Sequence, residues 1–283
     1  MKGFPFYGRR KNNYYFLRVK HPIILIVITA LLAGACSKQE DPPATEGKII
    51  ILMYHRIVKG DTDNLYERSE EDLESDLKYL KLNNIRIIDF HELNDYLSAG
   101  KMPPDNCAII TFDDGDYSWY SLARPLLLQY NMKATFFLWV HMIGTNSFLT
   151  WTEIEYMGNY TLDGGIRPFV FGSHTYSHPF LLGRKSSFAT EEEYNSFLNY
   201  EMAVSKNIIE EHVPGRVDVL ALPYGDGYGD QTIMTAAGRN GYRLIRTSKY
   251  GVIDNAGINM LMLPSLPILN DTPSDLIGVY LGL

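Results

Sequence analysis

Four short stretches of this sequence carry side chains that can do chemistry together. The first is Thr111-Phe112-Asp113-Asp114-Gly115. Two adjacent carboxylates repel each other unless a cation or a proton lies between them, so the pair asks for a metal ion or a shared proton. Asp-Gly is equally a turn signal. Neighbouring side chains on a regular strand point to opposite faces, so both carboxylates reach one site only if the strand has ended by Asp113. The second stretch is Ser173-His174-Thr175-Tyr176-Ser177-His178-Pro179. Histidines four apart share a face if the chain makes a helical turn there. Neutral imidazoles converging in this way suit zinc or a similar divalent metal, although two surface histidines read the same. Together with Asp114 they make three protein ligands and leave positions open for water and substrate, as a catalytic metal requires. The third and fourth stretches, Leu220-Ala221-Leu222-Pro223-Tyr224-Gly225 and Tyr54-His55, end apolar runs and by themselves specify no chemistry.

Apolar runs of strand length precede all four stretches. Runs over Lys48 to Ile57, Ile85 to Phe90, Cys107 to Phe112, Ala134 to Val140, Phe169 to Gly172, Val217 to Leu222 and Tyr242 to Thr247 read as strands buried on both faces. Between them the pattern predicts a helix beginning at Ser69-Glu70-Glu71-Asp72, and others over 92–99, 122–130, 152–157, 191–211 and 231–240. Thr272-Pro273-Ser274 reads as the cap of a last helix. Alternating strands and helices predict an α/β domain with a parallel sheet. Seven strands in about 235 residues fit a single barrel, whose site lies at the C-terminal strand ends. Tyr54-His55, Asp113-Asp114, His174 and Tyr224 all fall there.

The charge balance excludes one class of partner. Of 26 basic residues, six lie in residues 1–36, which hold no acid; the rest of the chain carries 20 basic against 33 acidic residues, a formal −13. A body that acidic does not bind nucleic acid through phosphates. The basic start gives way to an apolar run, Ile23 to Ala35, then Cys36. Thirteen residues rise about 20 Å as a helix, too short for a bilayer of about 30 Å, and the order of basic, apolar, small and polar residues is that of an export signal. Leu32-Ala33-Gly34-Ala35-Cys36 resembles a bacterial lipobox, which implies cleavage before Cys36 and lipidation of its sulfur; a plain secretory signal is the alternative. The expected organisation is a signal over 1–36, a tether over 37–47 and one domain over 48–283. The product would be an exported lipoprotein on the outer membrane or cell surface, anchored to the membrane by lipid. Cys36 and Cys107 are the only cysteines, so no disulfide framework and no cysteine-rich zinc site is expected in the domain.

Taken in order, the Thr-Phe-Asp-Asp-Gly, His-Thr-x-x-His and Pro-Tyr-Gly blocks make the chain similar to polysaccharide deacetylases of carbohydrate esterase family 4, the NodB-homology type. Lys133 to Phe137, Leu149 to Ile154 and the opening Met53-Tyr54-His55-Arg56-Ile57 resemble its linking segments and its poly-N-acetylglucosamine deacetylase branch. The likeness covers roughly residues 48–270. It implies a distorted seven-stranded (β/α) barrel and a hydrolase that removes N-acetyl groups from an acetylated extracellular or cell-wall polysaccharide. It assigns Asp113 as general base and Asp114, His174 and His178 as ligands of a divalent metal, zinc first, with cobalt, nickel or iron as alternatives. The metal would polarise the acetamide carbonyl and activate a water. The backbone N–H of Tyr224 would hold the oxyanion, while the Tyr224 ring and Trp119 would line the sugar groove.

Three positions depart from the family pattern. Many members carry an Arg two residues before the Pro, where this chain has Ala221. Many carry a late His as general acid, and here none follows His212. The first strand lies beside the last in a closed barrel, so His55 is the expected substitute, with His141 in reserve. Ser265 stands where the branch often has Arg. Two other functions remain: an O-acetyl esterase acting on xylan or peptidoglycan, and a glycan-binding lipoprotein without catalysis.

Overall fold

The structure is a computed structural model that describes residues 46–283. The expected signal over 1–36, Cys36 and most of the tether lie outside the described residues. Among the described residues, no helix is long and apolar enough to cross a membrane.

Seven parallel strands close a barrel. They are β1 (Ile49–Tyr54), β5 (Cys107–Asp114), β6 (Ala134–Leu138), β7 (Phe169–Ser173), β8 (Val219–Ala221), β9 (Leu244–Tyr250) and β10 (Leu263–Pro267). The order around the wall is β1-β10-β9-β8-β7-β6-β5, and the β1–β5 pairing closes it. A two-residue strand, β4 (Arg86–Ile87), pairs with the first residues of β5, while β6 pairs with its last. Short strands β2 (Arg56–Val58) and β3 (Glu67–Ser69) form a separate ribbon after β1. The α-helices of the described residues are α1 (Glu70–Leu82), α2 (Phe90–Ser98), α3 (Arg124–Gln129), α4 (Trp151–Asn159), α5 (Glu191–His212), α6 (Gln231–Arg239) and α7 (Leu276–Leu281), with short 3₁₀ and π turns among the connections.

The seven-stranded expectation holds with one exchange. The run 85–90 is not a wall strand: Asp89 caps α2 through a reciprocal bond pair with Glu92, which claims Phe90 for the helix. The seventh strand is β10, Leu-Pro-Ser-Leu-Pro, whose two prolines argue against a strand by local rules. The last helix also begins later than expected. The Thr272 hydroxyl accepts from the Leu269 N–H at 2.8 Å and shapes a loop, and α7 starts only after Asp275.

Period-two alternation sorts the strand residues into two cores. Ile49, Ile51, Ile109, Phe137, Val219, Leu244 and Leu263 fill the barrel. Ile50, Leu52, Ile110, Phe112, Phe136, Leu220 and Ile245 pack outward under the helices. Gly172 makes room inside: a Cβ there would meet the Phe137 ring at 2.5 Å. Continuing the inward rows up the barrel brings Met53, Asp113 and Arg246 to its mouth, all nearly fully buried.

Candidate active site

Asp113 and Asp114 both belong to β5, pairing with Phe137 and Leu138. The strand does not end before the second carboxylate, contrary to the sequence expectation. Asp114 instead takes φ +90°, which turns its side chain back over the mouth. Four of the seven non-glycine residues with positive φ among the described residues are at this site: Asp114, Thr175, His178 and Tyr224. Each such conformation costs of order 1–3 kcal/mol, and strain of this kind gathers at functional sites.

The two histidines converge without the expected helical turn. The chain after β7 is a loop bent by Thr175 (φ +67°) and His178 (φ +57°). Glu201 of α5, 3% exposed, holds it in place. Its carboxylate accepts from the Ser177 N–H at 2.8 Å and hydroxyl at 2.5 Å, and its backbone carbonyl accepts from the Tyr176 N–H at 3.1 Å. Glu201→Ala leaves both Ser177 donors without their partner, so a stability loss of about 1–3 kcal/mol is expected. Metal affinity should fall about 10- to 100-fold, as for outer-shell partners elsewhere. Thermal melts and metal titration check this; an unchanged metal Kd would show that the loop holds itself.

His174 Nδ1 donates to the Ala221 carbonyl at 2.9 Å, which leaves the Nε2 lone pair directed at Asp114. Asp114 Oδ1 lies 3.6 Å from His174 Nε2 and 3.4 Å from His178 Nε2. All three ligand atoms fall within 4.8 Å of one another. Two donors held about 2.1 Å from one ion at a tetrahedral angle sit about 3.4 Å apart, so this donor set fits a zinc-like cation. Burial drives the His174 pKa down to about 3 and that of His178 to about 4, so both imidazoles are neutral ligands at neutral pH. Burial, then the charge of Asp113, lift the Asp114 carboxyl to about 7. A cation between the carboxylates removes that penalty.

Asp113 has a different environment. Burial pushes its carboxyl up, but Arg246, His174 and His55 together hold it below the ordinary value. Arg246 Nη2 donates to Asp113 Oδ2, both side chains being almost fully buried. Sequence reasoning missed Arg246. It pairs laterally with Ala221, the position where the family pattern places an arginine, so the guanidinium comes from the next strand. Ser265, the other departure, is buried and donates to the Thr247 carbonyl at 2.6 Å.

A cleft of about 490 Å³ opens over these groups, lined among others by His55, Tyr66, Asp113, Tyr224, Arg246 and Tyr250. Among the described residues, six buried side-chain nitrogen or oxygen atoms lack a hydrogen-bond partner. Four belong to residues lining the cleft, His55 Nδ1, Asp113 Oδ1, His178 Nδ1 and Arg246 Nε, and a fifth, Trp139 Nε1, belongs to the ring stacked on His178. Polar groups left unpaired in a fold that satisfies the rest mark the place where a ligand completes them.

The remaining expected residues divide. Tyr224 is at the cleft; its ring stacks on Phe180 at 4.1 Å and meets the edge of His178 at 4.6 Å. Its φ of +58° and the tight turn into Gly225, where a Cβ would strike Ser248 Oγ at 1.8 Å, explain the glycine of Pro-Tyr-Gly. Trp119 does not line the groove. It is fully buried between Phe112 and Phe136, and its indole N–H donates to the His55 carbonyl at 2.7 Å, so it supports His55 from beneath. His141 is exposed outside the cleft, packed on Tyr176.

The polysaccharide deacetylase family matches residues 100–245. The chain is 30% identical over 72% of its length to YxkH of Bacillus subtilis strain 168, a provisionally named polysaccharide deacetylase. It is 27% identical over 62% of its length to a poly-beta-1,6-N-acetyl-D-glucosamine N-deacetylase of Staphylococcus epidermidis. It spans 66% and 64% of those two proteins, just under two thirds of each. Its fold is similar to that of the Streptococcus pyogenes deacetylase PplD, solved in complex with acetate: TM-score 0.71, 24% identity, 84% of this chain and 99% of that one. This chain belongs to the polysaccharide deacetylase family.

Proposed function

We propose that the chain is a metal-dependent N-deacetylase of an N-acetylglucosamine polysaccharide, with the β-1,6-linked polymer as first candidate. The observation that carries this is the convergence of Asp114, His174 and His178 within 4.8 Å beside a second, ionised carboxylate at the barrel mouth. Family membership and the named substrate of the staphylococcal relative support the choice of glycan. Bound by Asp114, His174 and His178, a divalent metal, zinc first, supplies Lewis acidity toward the acetamide carbonyl and its attacking water. Asp113, held by Arg246, takes the proton of that water. The Tyr224 backbone N–H donates to the oxygen that becomes negative, and the Tyr224 ring offers a face to the sugar. His55, at the cleft with an unpartnered Nδ1, gives a proton to the departing amine from its protonated form, which burial disfavours and the charge of Asp113 beside it favours. An export signal ending at Cys36, lipidated there, would place the domain on the acetylated polymer outside the cell.

Acetate release from β-1,6-glucosamine, chitin, peptidoglycan and xylan oligomers, with and without chelator, tests the reading. Chelator-sensitive release from the β-1,6 oligomer is expected. Release from xylan alone would make the enzyme an O-acetyl esterase, and no release from metal-loaded protein would leave a glycan-binding domain. Arg246 favours catalysis over that last outcome, since it restores the contact to Asp113 that Ala221 cannot make. His55→Ala is expected to lower kcat about 10²- to 10⁴-fold, the range of general acid catalysis. Parent-level kcat would remove His55 from the mechanism.

A further inference from the structure

The two histidines of the site are held by different means. His174 is fixed by a hydrogen bond from Nδ1 to the Ala221 carbonyl. His178 has no such bond; its Nδ1 is buried and unpartnered. What fixes its ring is aromatic packing. The Trp139 indole lies over it, with centroids 4.7 Å apart and planes 24° from parallel, and the Tyr224 ring meets it at 4.6 Å and 65°. Trp139 follows β6 directly, and its backbone N–H donates to the Asp114 carbonyl at 3.1 Å. Phe148 braces the far side of the indole edge-on at 6.0 Å. Trp139 is not part of the cleft lining, so it reaches the chemistry only through its neighbours.

We infer that Trp139 is the positioning residue of this metal site, holding the backbone of Asp114 through its amide and the ring of His178 through its indole face. The inference rests on the metal-site reading above and adds how the third ligand is aimed. Offset stacking fixes the plane of a ring without fixing a proton on it. His178 is therefore oriented as a ligand while its second nitrogen stays uncommitted, unlike the usual arrangement in which a carbonyl or carboxylate takes that N–H. Because the amide bond to Asp114 survives substitution of the side chain, variants of Trp139 isolate the His178 half of the clamp.

The test is Co²⁺ titration of the apoprotein, read by the visible absorption of the bound ion and by the melting temperature with and without metal. Trp139→Ala is expected to raise the Co²⁺ Kd about 10- to 100-fold and to change the band shape. Trp139→Phe, which keeps a ring face, should restore affinity and spectrum. Trp139→Leu, which keeps apolar bulk without the face, should not, and it carries the comparison if the alanine variant does not fold. Wild-type affinity and spectrum in Trp139→Ala, or in Trp139→Leu, overturn the inference while leaving the metal site standing. Failure of the wild-type chain to bind Co²⁺ with Asp114, His174 and His178 intact overturns both.

Discussion

Asp113→Asn is expected to lower kcat about 10²- to 10⁴-fold while leaving metal affinity nearly intact. Asp113 Oδ2 lies 3.8 Å from His174 Nε2, but the closest approaches to the imidazoles are made by Asp114. The amide keeps the volume and can still accept from Arg246, so the lattice of contacts is preserved and the base alone is lost. Asp114→Asn should show the converse, losing metal first. Metal titration beside kcat on the β-1,6 oligomer separates the two aspartates. Equal loss of metal in both variants would show that Asp113 is a ligand and not the base.

Arg246→Ala is the change expected to harm stability most. It leaves Asp113 buried and ionised without its partner, a situation that costs about 3–5 kcal/mol, out of about 5–15 for a whole domain. The cation also lies 5.2 Å from the Phe137 ring, so packing inside the barrel is lost with it. Where the variant still folds, the pH profile supplies the sign. Burial raises the Asp113 pKa and Arg246 is the largest effect opposing it. Without Arg246 the base is protonated at higher pH, so the acid limb of kcat/KM moves upward. Arg246→Lys keeps a charge without the planar fork and should recover part of both effects. An acid limb that stays in place in Arg246→Lys and Arg246→Ala would mean that the guanidinium does not set the protonation of Asp113.

The convergence of Asp113, Asp114, His174 and His178 was legible because Asp113-Asp114 and His174 each end an apolar run and His178 follows four residues after His174. Arg246 was not, although a signal existed. An arginine two residues after Leu244 in a buried strand faces inward with it, and a charge inside a barrel needs a counter-charge. The wrong expectation for Trp119 has the opposite cause: an aromatic three residues after Asp116 looks available to a sugar, but the π-helical turn Trp119–Ala123 that leads into α3 sends it into the core. Strand β10 was hidden by Pro264 and Pro267. The turn expected between the histidines gave way to left-handed residues because Glu201, on a helix distant in sequence, captures the loop. Local pattern thus located the side chains that converge at the barrel mouth, and contacts distant in sequence decided how they are oriented.

The ladders of the barrel are uneven. Six successive residues of β1 pair with β5, four of β5 with β6 and five of β6 with β7. Only Ser173 and Leu220 register between β7 and β8, and two residues between β1 and β10. β10 is tied to β9 by only two register pairs with a shift between them as well, so the wall is a firmly laddered arc, β1-β5-β6-β7, joined at thin seams to a looser one, β8-β9-β10. One arc bears His55, both aspartates and the histidines; the other bears Tyr224 and Arg246. The bonds His174–Ala221 and Arg246–Asp113 are the rivets across them, so any breathing of the barrel along its seams would loosen Asp113 and His174 in the same movement.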